Sequence, residues 1–271
     1  MSRLRETAKT SFVNTVGRLG YCGSVVDKLA CWIRFSSWCV ERGAGLGHYD
    51  GRKTGDYADR YKLYETVIHN EFLENEALDF VEFGVYHGAS ISWWANRISD
   101  PESRFFGFDT FTGLPERWNR YVTNTFSTGG KLPEIEDPRC TFIAGLFQDT
   151  LPGFLQEFSR RGRRLAVHLD ADLYSSTLFA LTALAPYLRR GDLLFFDEFG
   201  TPTNEFRAFE DFVRGYMVGY ELIGAVNNFN RVCVKLNPVA KSIQKQREMA
   251  SDREALSRYN AAKSRGATGS D

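Results

Sequence analysis

The chain has 271 residues, 43% hydrophobic and 25% charged, enough for one large α/β domain with appendages. Lys plus Arg equals Asp plus Glu at 34 each, so no net field directs it to nucleic acid or to an anionic membrane surface, and a small-molecule partner fits better. The 5 cysteines are odd in number and contain no CxxC pair, which argues against a disulfide framework or a zinc site and makes a reducing cytoplasm the expected compartment.

The apolar region from Phe12 to Val40 is broken by Arg18, Asp27, Lys28 and Arg34. It therefore lacks the roughly 18 uninterrupted apolar residues of a membrane span, and it has no clean signal-peptide core. Within it Val26, Leu29, Ile33 and Val40 recur near helical spacing, which predicts an amphipathic helix packed on the main domain or on a second copy of the chain. Gly43, Gly45, Gly47 and Gly51 follow as a flexible joint, and Tyr57 to Glu74 reads as a helix leading into the core.

Seven short apolar runs come next: Phe80 to Val85, Phe105 to Phe108, Phe142 to Ala144, Leu165 to Leu169, Leu193 to Phe196, Tyr220 to Val226 and Arg231 to Leu236. Most are separated by helix-compatible stretches, the pattern of a buried, doubly wound, mainly parallel sheet. Between the last two lie only Asn227, Asn228, Phe229 and Asn230, too few for a crossover helix, so one strand runs antiparallel. The chain thus divides into a helical extension over 1–56, a core domain over 57–237 and a polar, charge-balanced tail over 238–271.

The first run ends in an ExGxxxG turn, Glu82 to Gly88, ahead of an apolar helix beginning at Ile91. Glycines there let backbone approach a ligand, and the helix N-terminus offers free N–H groups. By itself the turn fits either a nucleotide-type site or an ordinary strand-to-helix turn. The second run ends in Asp109, where doubly wound folds place an acid for ribose hydroxyls; an acid bonded to the backbone of its own turn is the alternative.

Acids also end two later runs: Asp170 and Asp172 after Leu169, and Asp197 and Glu198 after Phe196. Because the carboxyl ends of parallel strands line one crevice, all four carboxylates can converge. Such a set needs a cation or protonation, and a ligand set of oxygens alone favours Mg²⁺, with Mn²⁺ or Ca²⁺ as alternatives.

Five segments in order, VEFGVYHGAS (81–90), FGFDTFTGLPE (106–116), GLFQDTLP (145–152), HLDADLYSST (168–177) and FDEFG (196–200), resemble the macrocin O-methyltransferase (TylF-type) family of class I S-adenosylmethionine (SAM)-dependent methyltransferases. The resemblance implies a Rossmann-like methyltransferase domain over 57–237 and an enzyme of natural-product biosynthesis that methylates a hydroxyl of a small metabolite, a sugar or glycoside. It places Glu82, Gly84, Gly88 and Ser90 around the methionine part of SAM, Asp109 on its ribose, and Phe147 and Gln148 on its adenine. It also implies metal ligation by Asp170, Asp197 and Glu198, although many relatives carry Asp-Asp where this chain has Asp-Glu, and it makes Asp172 the base.

Tyr174, His168 and His87 are weaker candidates for chemistry; His168 sits in an apolar run, where a satisfied core histidine is the commoner role. The long stretch from Thr110 to Cys140, with Pro115, Trp118, Tyr121, Phe126, Gly129, Gly130, Pro133 and Pro138, reads as a lid. Two rival readings are a nicotinamide-dependent oxidoreductase, which shares the glycine turn and the ribose acid, and a non-catalytic binding protein that kept the fold.

Overall fold

The computed structural model describes residues 20–44 and 56–237, with Val13 and Leu46. Most of the glycine joint and the polar tail lie outside the described residues. All seven predicted runs are strands: β1 Leu78–Phe83, β2 Arg104–Asp109, β3 Cys140–Ala144, β4 Arg164–Leu169, β5 Leu193–Phe196, β6 Gly219–Val226 and β7 Arg231–Asn237.

They form one sheet in the order β3-β2-β1-β4-β5-β7-β6. β3, β2, β1, β4 and β5 run parallel, while β7 is antiparallel to both β5 and β6. The β6–β7 connection is a tight hairpin in which Asn227, Asn228 and Phe229 all take positive φ; apart from glycine, asparagine is among the residues that tolerate that region best, which suits the first two positions.

Both sheet faces are covered. Alternate residues point to opposite faces, so Val81, Phe83, Val167, Leu169, Leu194 and Phe196 enter one apolar cluster, whereas Phe80, Ala166, Leu193 and Phe195 enter the other. Helices α4 Phe147–Glu157, α5 Tyr174–Leu184 and α6 Arg207–Gly215 contribute to the first face, and α2 Asp59–Asn70 and α3 Ala89–Arg97 to the second. The predicted helix over 57–74 is shorter than expected: α2 stops at Asn70, and Phe72 at φ 57° turns the chain into a short 3₁₀ segment, Leu73–Asn75.

The N-terminal helix α1, Gly20–Gly43, forms as expected but packs through a different face. Val26, Leu29, Ile33 and Val40 are exposed, and the docked residues are Cys31, Phe35 and Trp38. Phe35 meets Phe206 edge-on at 5.2 Å and Trp38 lies 5.0 Å from Phe199. The Trp38 indole donates to the Tyr220 hydroxyl at 2.7 Å, and Arg34 pairs with Glu210 at 2.7 Å. Aromatic rings bury more area per residue and pair edge to face, so they, and not the aliphatic row, choose the docking face. No helix among the described residues is long and apolar enough to cross a membrane.

Candidate functional site

At the carboxyl ends of β1, β2 and β4 lies a cavity of about 540 Å³. Its geometry starts from Gly84, the first residue after β1, at φ 92°. A Cβ at this position would lie 2.0 Å from the backbone oxygen of Asp170, so only glycine lets the β1 turn close on the β4 turn. Backbone bonds hold the approach on both sides, from Gly84 N to Phe108 O and from Asp170 N to Phe83 O, each 2.9 Å. Gly88, at φ 78°, opens α3, and a Cβ there would meet the Pro133 ring at 2.9 Å.

Asp109 lines the cavity and organises its rim. One carboxylate oxygen accepts from Val85 N and Tyr86 N, each at 2.8 Å, and the other from Phe111 N at 2.7 Å. Phe147 and Gln148 also line the cavity, with Phe147 packed edge-on to Phe83 at 5.0 Å. Ser90 reaches the same cavity, but its hydroxyl accepts from Arg60 at 2.9 Å.

Glu82 does not line this cavity. It lies beside His168 in the β1–β4 register, and registered neighbours point to the same face. Its carboxylate bonds His168 Nδ1 at 2.9 Å, while His168 Nε2 meets the Tyr64 hydroxyl at 2.7 Å. His168 is therefore a core histidine with both ring nitrogens engaged, and Glu82, expected at the methionine part of SAM, bonds it through one carboxylate oxygen while the other is buried with no hydrogen-bond partner among the described residues.

The four acids do converge. Asp170 and Asp172 line the cavity, and Asp197 lies behind Asp170, 1% exposed. What meets their charge is a residue that the sequence reading passed over. Arg60, from α2, donates to Asp170 at 3.0 Å and to Asp197 at 2.8 Å, and Arg231 donates to the other Asp197 oxygen at 2.8 Å. Glu198 accepts from Asn230 at 3.4 Å within charge reach of Asp197, Asp170 and Asp172, and its backbone N–H donates to the fully buried Glu205 at 2.9 Å.

Asp172 sits at φ 62° and makes no hydrogen bond among the described residues. Burial, then the nearby charges of Asp170, Glu198 and Asp197, push its carboxyl well above the usual range. Burial and Asp197 likewise push Asp170 up, and Arg60 pulls it back. Glu198 is pushed up to about 7, mainly by burial.

A divalent ion at Asp170, Asp197 and Glu198 does not fit this arrangement. Both Asp197 oxygens and one Asp170 oxygen already carry guanidinium donors. His168, Asp170 and Asp197 bring ligand-type atoms within 4.8 Å of one another, but the His168 nitrogens are taken by Tyr64 and Glu82.

The stretch over 110–139 is tied down by backbone bonds such as Leu114 N to Thr125 O at 2.9 Å, and by Ser175, whose hydroxyl donates to Glu116. Trp118 stacks on Tyr121 and packs on Leu173, so it serves packing within the stretch; Thr110, Gly113, Leu114, Pro115 and Phe126 reach the cavity.

Residues 81–199 match the family model described as a methyltransferase domain. The match takes in the glycine turn, Asp109 and all four acids. The fold is that of a class I methyltransferase. Among solved structures the chain is similar to the calicheamicin methyltransferase CalS11, with a TM-score of 0.52 and 21% identity over 66% of this chain and 80% of that one. It is also similar to the O-methyltransferase NovP, with a TM-score of 0.51 and 20% identity over 67% and 79%.

A curated relative from Streptomyces olivaceus, 8-demethyl-8-(2,3-dimethoxy-alpha-L-rhamnosyl)-tetracenomycin-C 4'-O-methyltransferase, is 30% identical over 142 residues. That is 45% of this chain and 52% of the relative, so the chain spans about half the length of the curated relative it matches.

Proposed function

We propose that the protein transfers a methyl group from SAM to a hydroxyl of a sugar or glycoside. One observation carries the reading: a single cavity, inside a fold and a matched segment of methyltransferase type, joins a glycine turn and Asp109 on one side to the unpartnered Asp172 on the other. The curated relative, named for methylation of a rhamnosyl group, supports the acceptor class.

SAM supplies an electrophilic methyl with a thioether leaving group, so the protein's task is alignment and proton removal. Gly84, by letting the β1 turn close on the β4 turn, and Gly88, by opening α3, shape the backbone that borders the methionine end, Asp109 holds the rim and offers acceptor capacity to the ribose, and Phe147 and Gln148 border the adenine end. Asp172 takes the proton from the acceptor hydroxyl while the oxygen attacks the methyl carbon opposite sulfur. The products are a methyl ether, S-adenosylhomocysteine and a proton. Phe126, Leu114 and Pro115 present an apolar lid to the face of a ring-shaped acceptor.

The experiment is incubation with methyl-labelled SAM and a panel of rhamnosides and other glycosides. Label is expected in an O-methyl sugar; label on nitrogen or carbon, with none on oxygen across the panel, would count against the assignment.

A further inference from the structure

We propose that Arg60 takes the place of a divalent ion at the Asp170–Asp197 pair, so that this site holds its charge with a guanidinium of the chain itself. Three observations carry it. The Arg60 guanidinium bridges the two carboxylates, donating to Asp170 at 3.0 Å and Asp197 at 2.8 Å, as a cation shared between two acids would. Its Nη1 also donates to Ser90 at 2.9 Å and the Tyr57 ring covers it at 4.2 Å, while its buried Nε has no hydrogen-bond partner among the described residues. Its side chain is only 5% exposed, so the bridge is part of the core and not a surface pair.

Arg231 completes the device. It donates to the remaining Asp197 oxygen at 2.8 Å and lies 5.2 Å from the same Tyr57 ring. Asp197 thus has no oxygen free of a guanidinium, and Tyr57 closes over both arginines. The adjacent acid, Glu198, accepts from Asn230, whose side chain also donates to the Asp197 carbonyl. A divalent ion needs several oxygens converging on one point, and here the converging oxygens converge on Arg60.

Arg60 touches the carboxylate of Asp170, two residues from Asp172, and we assign it as a positioning residue that fixes the β4 turn on which Asp172 stands. The inference concerns the charge of the site and does not depend on which acceptor is methylated, so it is tested by metal binding and not by turnover alone.

The probe is Mn²⁺, followed by the loss of its free-ion electron paramagnetic resonance signal in the presence of S-adenosylhomocysteine. Wild type is expected to bind no Mn²⁺ at millimolar concentration, and Arg60→Met, which frees the two carboxylates, is expected to gain a site at least about tenfold tighter. Adding Asp170→Asn to Arg60→Met should abolish that site. Arg60→Lys, which keeps the charge and tests folding, should remain free of Mn²⁺.

Stoichiometric Mn²⁺ binding by wild type that Asp197→Asn removes would overturn the proposal, as would a folded Arg60→Met that binds none. The wild-type measurement decides the matter even if Arg60→Met does not fold. Failure of methyl transfer to any glycoside would leave the Mn²⁺ result standing, so the two readings fail separately.

Discussion

Replacing Asp172 by Asn should slow methyl transfer by about 10²–10⁴-fold, the usual contribution of a positioned general base, with SAM affinity unchanged. Asn keeps the shape and cannot accept the proton. The pH profile separates this from a packing defect. Burial and three neighbouring carboxylates raise the Asp172 pKa, so the base is ionised only above the ordinary carboxylate range, and wild-type kcat should climb with pH through that raised value and then level. The residual rate of Asp172→Asn should lack that step.

Stability should move the other way. In the folded chain Asp172 keeps a proton that the unfolded chain releases near pH 3.9, so the folded state binds more protons in the window between the two pKa values. The stability this proton contributes is complete below the unfolded pKa and is lost as pH rises through the folded one. Asn never ionises, so above that window Asp172→Asn should melt higher than wild type, by roughly 2–4 °C for each kcal/mol removed. A variant with wild-type rates at every pH would exclude Asp172 as base.

Gly84→Ala should be the most damaging single methyl in the site. At φ 92° an alanine is strained, and its Cβ would fall 2.0 Å from Asp170 O and 2.6 Å from Asp170 C, both backbone. Neither can give way without parting β1 from β4, whose ends are joined through Asp170 N to Phe83 O. Backbone strain and overpacking together cost about 2–6 kcal/mol.

Gly162 is the control, with φ 87° and nothing within 4 Å of an added Cβ; there alanine costs strain alone, about 1–2 kcal/mol. Urea titration of both variants gives the comparison. Equal midpoints for the two, with SAM binding kept in Gly84→Ala, would refute the close-approach argument.

The strands were legible because a sheet buried on both faces needs apolar runs, and each of the seven runs became one strand of it. Their ends were less so: the first run reads through to Val85, but Gly84 at positive φ ends β1 at Phe83. The acids were legible from position, since a charged residue straight after an apolar run has few places to go except the crevice. Arg60 was not. It stands in the charged stretch ADRYKLYE, where an arginine reads as solvent-facing, and its burial depends on acids 110 and 137 residues away. Glu205 was missed for the same reason, being buried behind Glu198 by tertiary packing alone. On α1 the aliphatic row gave the clearer periodicity, yet Phe35 and Trp38 found aromatic partners on the domain and set the docking face.

The central claim is that the cavity bordered by Gly84, Asp109 and Phe147 is a SAM site. A doubly wound sheet with a glycine turn and a rim acid would equally receive a nicotinamide dinucleotide, so isothermal titration of the same preparation with SAM, S-adenosylhomocysteine and NAD is the most direct measurement. The account predicts one site for SAM and its demethylated product, weakened by Asp109→Ala, and no heat with NAD. Saturable NAD binding without SAM binding would contradict it.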